Sequence, residues 1–418
     1  MIVAHGIHRR LLETFMHHLP CLFTPARGLL AAALSGLLLI TACGGGGGDG
    51  ATASDTPPTA TAAAFTQGTI TGFGSVIVNG VRFDDSGCTV TDDSGTAQAL
   101  SALRLGMRVE IDSSAVDTST ATARAHALRF GDLVTGPVEA VDAAAGTLTV
   151  LGQGVDVTTS TVFDDSLAGG LAGVAAGAVV EVHGLLDTAT GRITATRIEP
   201  ESSATAYKLR GVVSALDSTA KTFRIGAATI SYAGVATVPA TLADGVNLRV
   251  TLATAAVAGV WQAQSLGARA RSTTTAAQAH VRGAITAFTS ATAFSIDGIA
   301  VDASSATFPD GSAGLALGVQ VEVHGTLTNG TLVATRVSLE SRHRGDDDRK
   351  YELHGSITSV DSTAKTFVLR GVTVSYGGTL TYVNGTEAGL VAGARVEVRG
   401  TVGSTRTELA AVRIKFES

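Results

Sequence analysis

The chain has 418 residues, 45% of them apolar and 16% charged, with 50 Gly and 8 Pro. This composition excludes a collagen-like or wholly disordered chain and supplies ample apolar surface for several cores. Net charge is −6, and residues 1–42 hold three arginines against one glutamate, leaving −8 for the rest; a mildly acidic body lacks the basic surface that neutralises phosphates, which argues against nucleic acid as a partner.

The first element in the chain is residues 28–42, GLLAAALSGLLLITA, an uncharged run of 15 that follows Arg27. It is short for a membrane span, and its basic flank and small closing residues describe a signal peptide over residues 1–42. Met16 offers an alternative start that leaves a leader of ordinary length. The Arg9–Arg10 pair lies too far from the apolar run for a twin-arginine signal. The closing Ile40, Thr41, Ala42 and Cys43 resemble the lipobox of bacterial lipoproteins. That resemblance implies cleavage before Cys43 and acylation of its thiol and new amino group by chains such as palmitate, and several chains anchor stably where one does not. Gly44 follows, not Asp, which by analogy with lipoprotein sorting in enterobacteria implies the outer membrane of the cell envelope, with the face left open.

Residues 43–64 form the lipid-bearing Cys and a Gly-, Thr- and Ala-rich stretch with almost no bulky apolar side chain. It reads as a tether with a reach on the order of 25 Å. Cys21 falls in the leader and Cys43 is the lipid site, so Cys88 has no intrachain disulfide partner and is expected as a partly buried thiol.

One pattern then returns five times. Gly68, Gly136, Gly211, Gly283 and Gly355 open the units at spacings of 68, 75, 72 and 72. A second anchor follows about 40 residues later in each unit (GMRVEI at Gly106, GAVVEV at Gly177, GVNLRV at Gly245, GVQVEV at Gly318, GARVEV at Gly393), and the heptapeptide DSTAKTF recurs at Asp217 and Asp361. In the last unit, period-two alternation predicts strands at Tyr351–Val360, Thr366–Arg370, Val372–Tyr376, Arg395–Thr401 and Thr407–Phe416, with one short helical turn around Leu390. The predicted fold class is all-β. Five OB-like, five-stranded barrels stand in tandem, at 65–131, 132–200, 205–271, 278–340 and 350–418, with a charged linker at 341–349. A continuous β-solenoid is the alternative, but its rungs are shorter than this period.

The opening GTITGFGSVIVNGVRF, residues 68–83, and the recurring GxxVEVxG element resemble the domain of unknown function 5666 family, repeated in bacterial secreted proteins and lipoproteins. The resemblance spans residues 65 to about 417 and implies an envelope location and β-barrel repeats, with no activity. Units two and three are the most diverged, with Leu248 and Arg249 in place of Val and Glu.

Few residues carry recognisable chemistry. Ser218–Lys221 and Ser362–Lys365 read SxxK, but both fall in predicted hairpin turns without the helix and partner motifs that make this spacing catalytic. Asp346, Asp347 and Asp348 are crowded by Arg342, Arg344, Arg349 and Lys350, which favours a salt-bridged linker over a calcium site. His183 and His324 share one position after VEV in units two and four, where unit five has Arg399, and read as a tolerant outward position, with no metal assigned. Phe223, Phe294 and Phe367 repeat at one strand position as core residues do, not as a base-stacking platform. No catalytic residue and no cofactor is assigned. The expected function is a lipid-anchored, non-enzymatic envelope protein, a spacer or a binding array for an envelope protein. The alternative is a module that binds or hydrolyses cell-wall glycan or polysaccharide, for which the lone Trp261 is the candidate ligand contact, although core filling is the simpler role for it.

Overall fold

The computed structural model describes residues 64–167, 169–267, 275–340, 350–403 and 407–417. The leader, Cys43, the tether and Asp346–Asp348 lie outside the described residues. The described residues belong to one compact unit.

The second repeat shows the architecture most simply. Its strands are Val134–Asp142, Thr147–Val150, Gln153–Phe163, Val179–Asp187 and Arg192–Pro200, with a 3₁₀ turn at Gly170–Gly173 before the fourth. The first strand pairs antiparallel with the second and with the fourth, the second with the third, and the fourth with the fifth, while third and fifth run parallel. That circuit closes a Greek-key barrel in the OB order 1-2-3-5-4-1. The other four repeats close the same circuit. The first strands are Ala64–Phe73, Tyr207–Asp217, Ala276–Ser290 and Tyr351–Asp361 in barrels 1, 3, 4 and 5. The predicted helical turn of the last unit is a 3₁₀ turn at Glu387–Gly389.

Physical reasons for the repeated anchor are visible here. In GxxVEV the Gly adopts a left-handed conformation, with φ between +81° and +88° at Gly106, Gly177, Gly245, Gly318 and Gly393, which a side chain would disfavour. The Gly that closes VEVxG has a different role. A register shift falls at His183/Gly184, His324/Gly325 and Arg399/Gly400, and a Cβ there would strike the backbone carbonyl of Thr194, Val333 or Ala410 on the fifth strand. Phe223, Phe294 and Phe367 are buried core residues, as the repeat predicts. Cys88 is half-buried, and burial raises its thiol pKa.

The barrels follow one another in sequence but gather in space through their first strands. Each first strand leaves its fourth-strand partner near the opening Gly and joins the second strand, so each half exposes one backbone edge. Unpaired edges seek partners. Ala64–Gln67 of barrel 1 pairs in parallel with Gln278–Val281 of barrel 4, and Gly72–Phe73 pairs with Glu352–Leu353 of barrel 5. Barrels 2 and 3 pair at Val134–Thr135 with Lys208–Leu209. The cores follow the same grouping: barrels 2 and 3 share one apolar cluster, barrels 1 and 5 another, and Phe65 of barrel 1 is buried in the core of barrel 4. Among the described residues no helix is long and apolar enough to cross a membrane.

Candidate functional site

The Glu of VEV points away from each barrel core and sits at the centre of a three-strand face. Register places it opposite the residue before the opening Gly and opposite one fifth-strand residue. These trios are Gln67, Glu110 and Arg129; Thr135, Glu181 and Glu199; Arg282, Glu322 and Ser338; and His354, Glu397 and Lys415. In barrel 3 the position is Arg249, which reaches Asp93 of barrel 1 at 2.6 Å. The diverged motif of unit three is therefore an interbarrel ion pair.

Barrel 2 places a histidine beside this face. His183, expected as a tolerant outward position, is fully buried. It points away from its own core, but the Gly131 carbonyl lies 3.2 Å from Nδ1, and Glu181 and Glu199 lie 3.0 and 3.5 Å from Nε2. Burial alone would lower its pKa, but the two carboxylates outweigh that and hold it up at about 10. Burial pushes Glu199 upward, yet His183 and Arg197 bring it down to about 2. The interbarrel pair Asp132–Lys208, 3.1 Å apart, completes this network. Burial works against the Asp132 carboxylate, but Lys208 and Thr135 hold its pKa below the usual range.

In barrel 4, His280 and His324 stack with ring centroids 4.1 Å apart, and their Nε2 atoms lie 2.7 and 3.1 Å from the same Glu322 oxygen. Sequence reasoning missed His280. The signal was available in the register, because the residue three before the opening Gly faces the residue two after the VEV glutamate. In barrel 5, Glu352 contacts His354 at 2.5 Å, Arg82 of barrel 1 at 2.7 Å and Arg399 at 3.0 Å. His354, followed by Arg399 and Arg82, keeps the Glu352 carboxyl below its ordinary pKa.

Barrels 1, 2, 4 and 5 together line a cleft of about 1210 Å³. Its walls are hydroxyl-rich, with Thr69, Thr71, Thr158, Thr159, Ser160 and Thr194 among them. Five cations, Arg82, Arg108, Arg282, Lys350 and Arg399, line it with two carboxylates, Glu340 and Glu352, and the Asp297 and Glu322 carboxylates pair with Arg108 and Arg282. The fourth-strand arginine Arg108 is fixed by Asp297 of barrel 4 at 2.5 Å. Volume and lining suit an anionic or polyhydroxylated ligand held by several groups at once.

The residues singled out in the sequence lie elsewhere. Trp261 is half-buried in the fifth strand of barrel 3, edge-on to Tyr207 with centroids 5.7 Å apart, packs against the shared core, and does not line the cleft. Lys221 and Lys365 sit in hairpin turns with their ammonium groups over Tyr232 and Tyr376, at 5.8 and 5.7 Å, so each SxxK lysine is engaged by an aromatic ring.

The family match falls within individual barrels. The model of the family described as a domain of unknown function, DUF5666, matches residues 135–199, 282–338 and 354–415, which are barrels 2, 4 and 5. Barrels 1 and 3, the latter lacking the central Glu, repeat the topology outside those matches. A solved structure described as drosophila Unr CSD456 aligns over 51% of this chain and 98% of its own length, at 14% identity and a TM-score of 0.14. No curated protein matches the sequence.

Proposed function

We propose that this chain, three of whose barrels match the DUF5666 family, is a lipid-anchored, non-enzymatic protein of the bacterial cell envelope that binds an acidic glycan or polysaccharide in its interbarrel cleft. The observation that carries this reading is the cleft itself: four barrels contribute hydroxyls and five cations to one open cleft. A spacer needs length, and this chain folds back so that its first barrel pairs with its fourth and fifth. The lipobox ending at Cys43 and the tether after it support the anchor, because a flexible lead would let the cleft meet extended polymer near the membrane. The cations already have protein partners, so a bound polyanion would exchange with carboxylates such as Glu352, and affinity would fall with salt.

The test uses one variant for both halves of the proposal. Cys43→Ser is expected to move the protein from the membrane to the soluble fraction. That soluble protein is then titrated with an acidic polysaccharide and its neutral analogue. Preference for the acidic polymer, weakened at least tenfold by Lys350→Glu with Arg399→Glu, supports the reading. Equal binding of both polymers, or none, overturns the ligand assignment, and retention of Cys43→Ser in the membrane overturns the anchor.

A further inference from the structure

The outer face of barrel 4 carries a second site whose three side chains lie outside the cleft lining, with Arg282 shared between the two. We propose that His280, Glu322 and His324 bind one divalent transition-metal ion of borderline softness, with Zn²⁺ as the reference case. The two imidazoles project from adjacent antiparallel strands, where register sets them directly opposite each other. Their near-parallel stacking, 24° between planes, presents both Nε2 atoms to the same carboxylate oxygen. Ligands at about 2.0–2.1 Å from one tetrahedral zinc ion stand about 3.3 Å from each other. The nitrogen–oxygen separations of 2.7 and 3.1 Å are the close side of that spacing, so the His280 side chain must draw back by roughly half an ångström to receive an ion. The Arg282 guanidinium lies 3.1 Å from the other Glu322 oxygen, fixing the carboxylate as partners outside a metal's own ligand set do. His324 is 44% exposed, which gives an ion a path in and leaves its remaining coordination positions to water.

Equivalent faces lack this chemistry for identifiable reasons. In barrel 2 a single imidazole is sealed between two carboxylates with no solvent exposure, which leaves an ion no path to it. In barrel 5 a single His shares its carboxylate with Arg82 and Arg399, whose charges oppose a dication. Two imidazoles and one carboxylate meet in barrel 4. Arg282 also repels a dication, but its contact is with the outer oxygen.

The experiment is a Zn²⁺ titration of the full chain, purified without a histidine tag, by competition with a chromophoric chelator, together with the visible spectrum of the Co²⁺ form. One equivalent is expected to bind, with a Co²⁺ spectrum showing nitrogen ligation. His324→Ala, at a half-exposed position, is expected to keep the thermal stability and lose more than about tenfold in affinity, at least what removing an outer-shell partner costs. Glu322→Gln keeps the side-chain shape and should weaken binding similarly. Absence of stoichiometric binding, or binding equally tight in both variants, overturns the assignment.

Discussion

Replacing His183 by Ala is expected to destabilise the protein by about 3–5 kcal/mol, the cost of stripping one partner from a buried ion cluster. The imidazolium has no solvent exposure, and without it Glu181 and Glu199 face each other across the sheet with Asp132 nearby. Arg399→Ala, at the corresponding place in barrel 5 but 47% exposed, should cost less than about 1 kcal/mol. The pH dependence has a definite sign. A His raised from 6.5 to about 10 contributes stability that is complete below pH 6.5 and is lost as pH rises through about 10. Glu199, lowered from 4.5 to about 2, acts at the other end: its contribution is complete above 4.5 and is lost as pH falls through about 2. Glu181, raised by burial and by Asp132, tilts the acid limb the opposite way. The clean signature is alkaline. Urea unfolding should show stability falling from pH 6.5 to 10 in the wild type, and His183→Ala should lose that fall; an unchanged alkaline slope would refute the charged state of His183.

The second large effect is expected at Asp297, in the hairpin of barrel 4. Its Oδ2 accepts from Arg108 at 2.5 Å and Gln67 at 3.0 Å, both of barrel 1, while its carbonyl accepts from Arg210 of barrel 3 at 3.1 Å. It also holds a left-handed backbone, φ +46°, which Asp tolerates better than Ala. Asp297→Ala should therefore cost about 3–5 kcal/mol, by removing the anion beside a largely buried guanidinium and straining the turn. Asp297→Asn should recover the backbone part and one neutral acceptor, but not the charge. Hydrogen exchange localises the effect: amides of Ala64–Gln67 and Gln278–Val281, paired across the barrel 1–4 seam, should lose protection, while those of Val179–Asp187 in barrel 2 keep theirs. Uniform loss across all five barrels, or none, would show that Asp297 does not clasp that seam.

Within one unit, much of the fold was legible. Alternation at Val372, Val374 and Tyr376, the recurring Phe and the five VEV-type anchors mark strands and core because inward positions repeat in every barrel. The association of barrels was not legible, since the seams are backbone hydrogen bonds between first-strand edges and leave little trace in side-chain pattern. The misreading of His183 has the same origin: a residue that points out of its own barrel looks solvated until neighbouring segments cover it. Arg249 shows what was recoverable. A basic residue in place of the usual Glu marked a departure, and the structure supplies its reason in Asp93. The cleft had no linear signal, because its lining comes from four units.

Small-angle X-ray scattering of the chain lacking its first 56 residues tests the central claim, that five barrels form one body with a cleft shared by four of them. A compact unit of this length has a radius of gyration of about 20 Å, whereas five barrels of this size strung in a line would give about 40 Å. A value near the first is predicted here, with a single-peaked distance distribution. A value near the second would contradict the seams between first strands and, with them, the cleft.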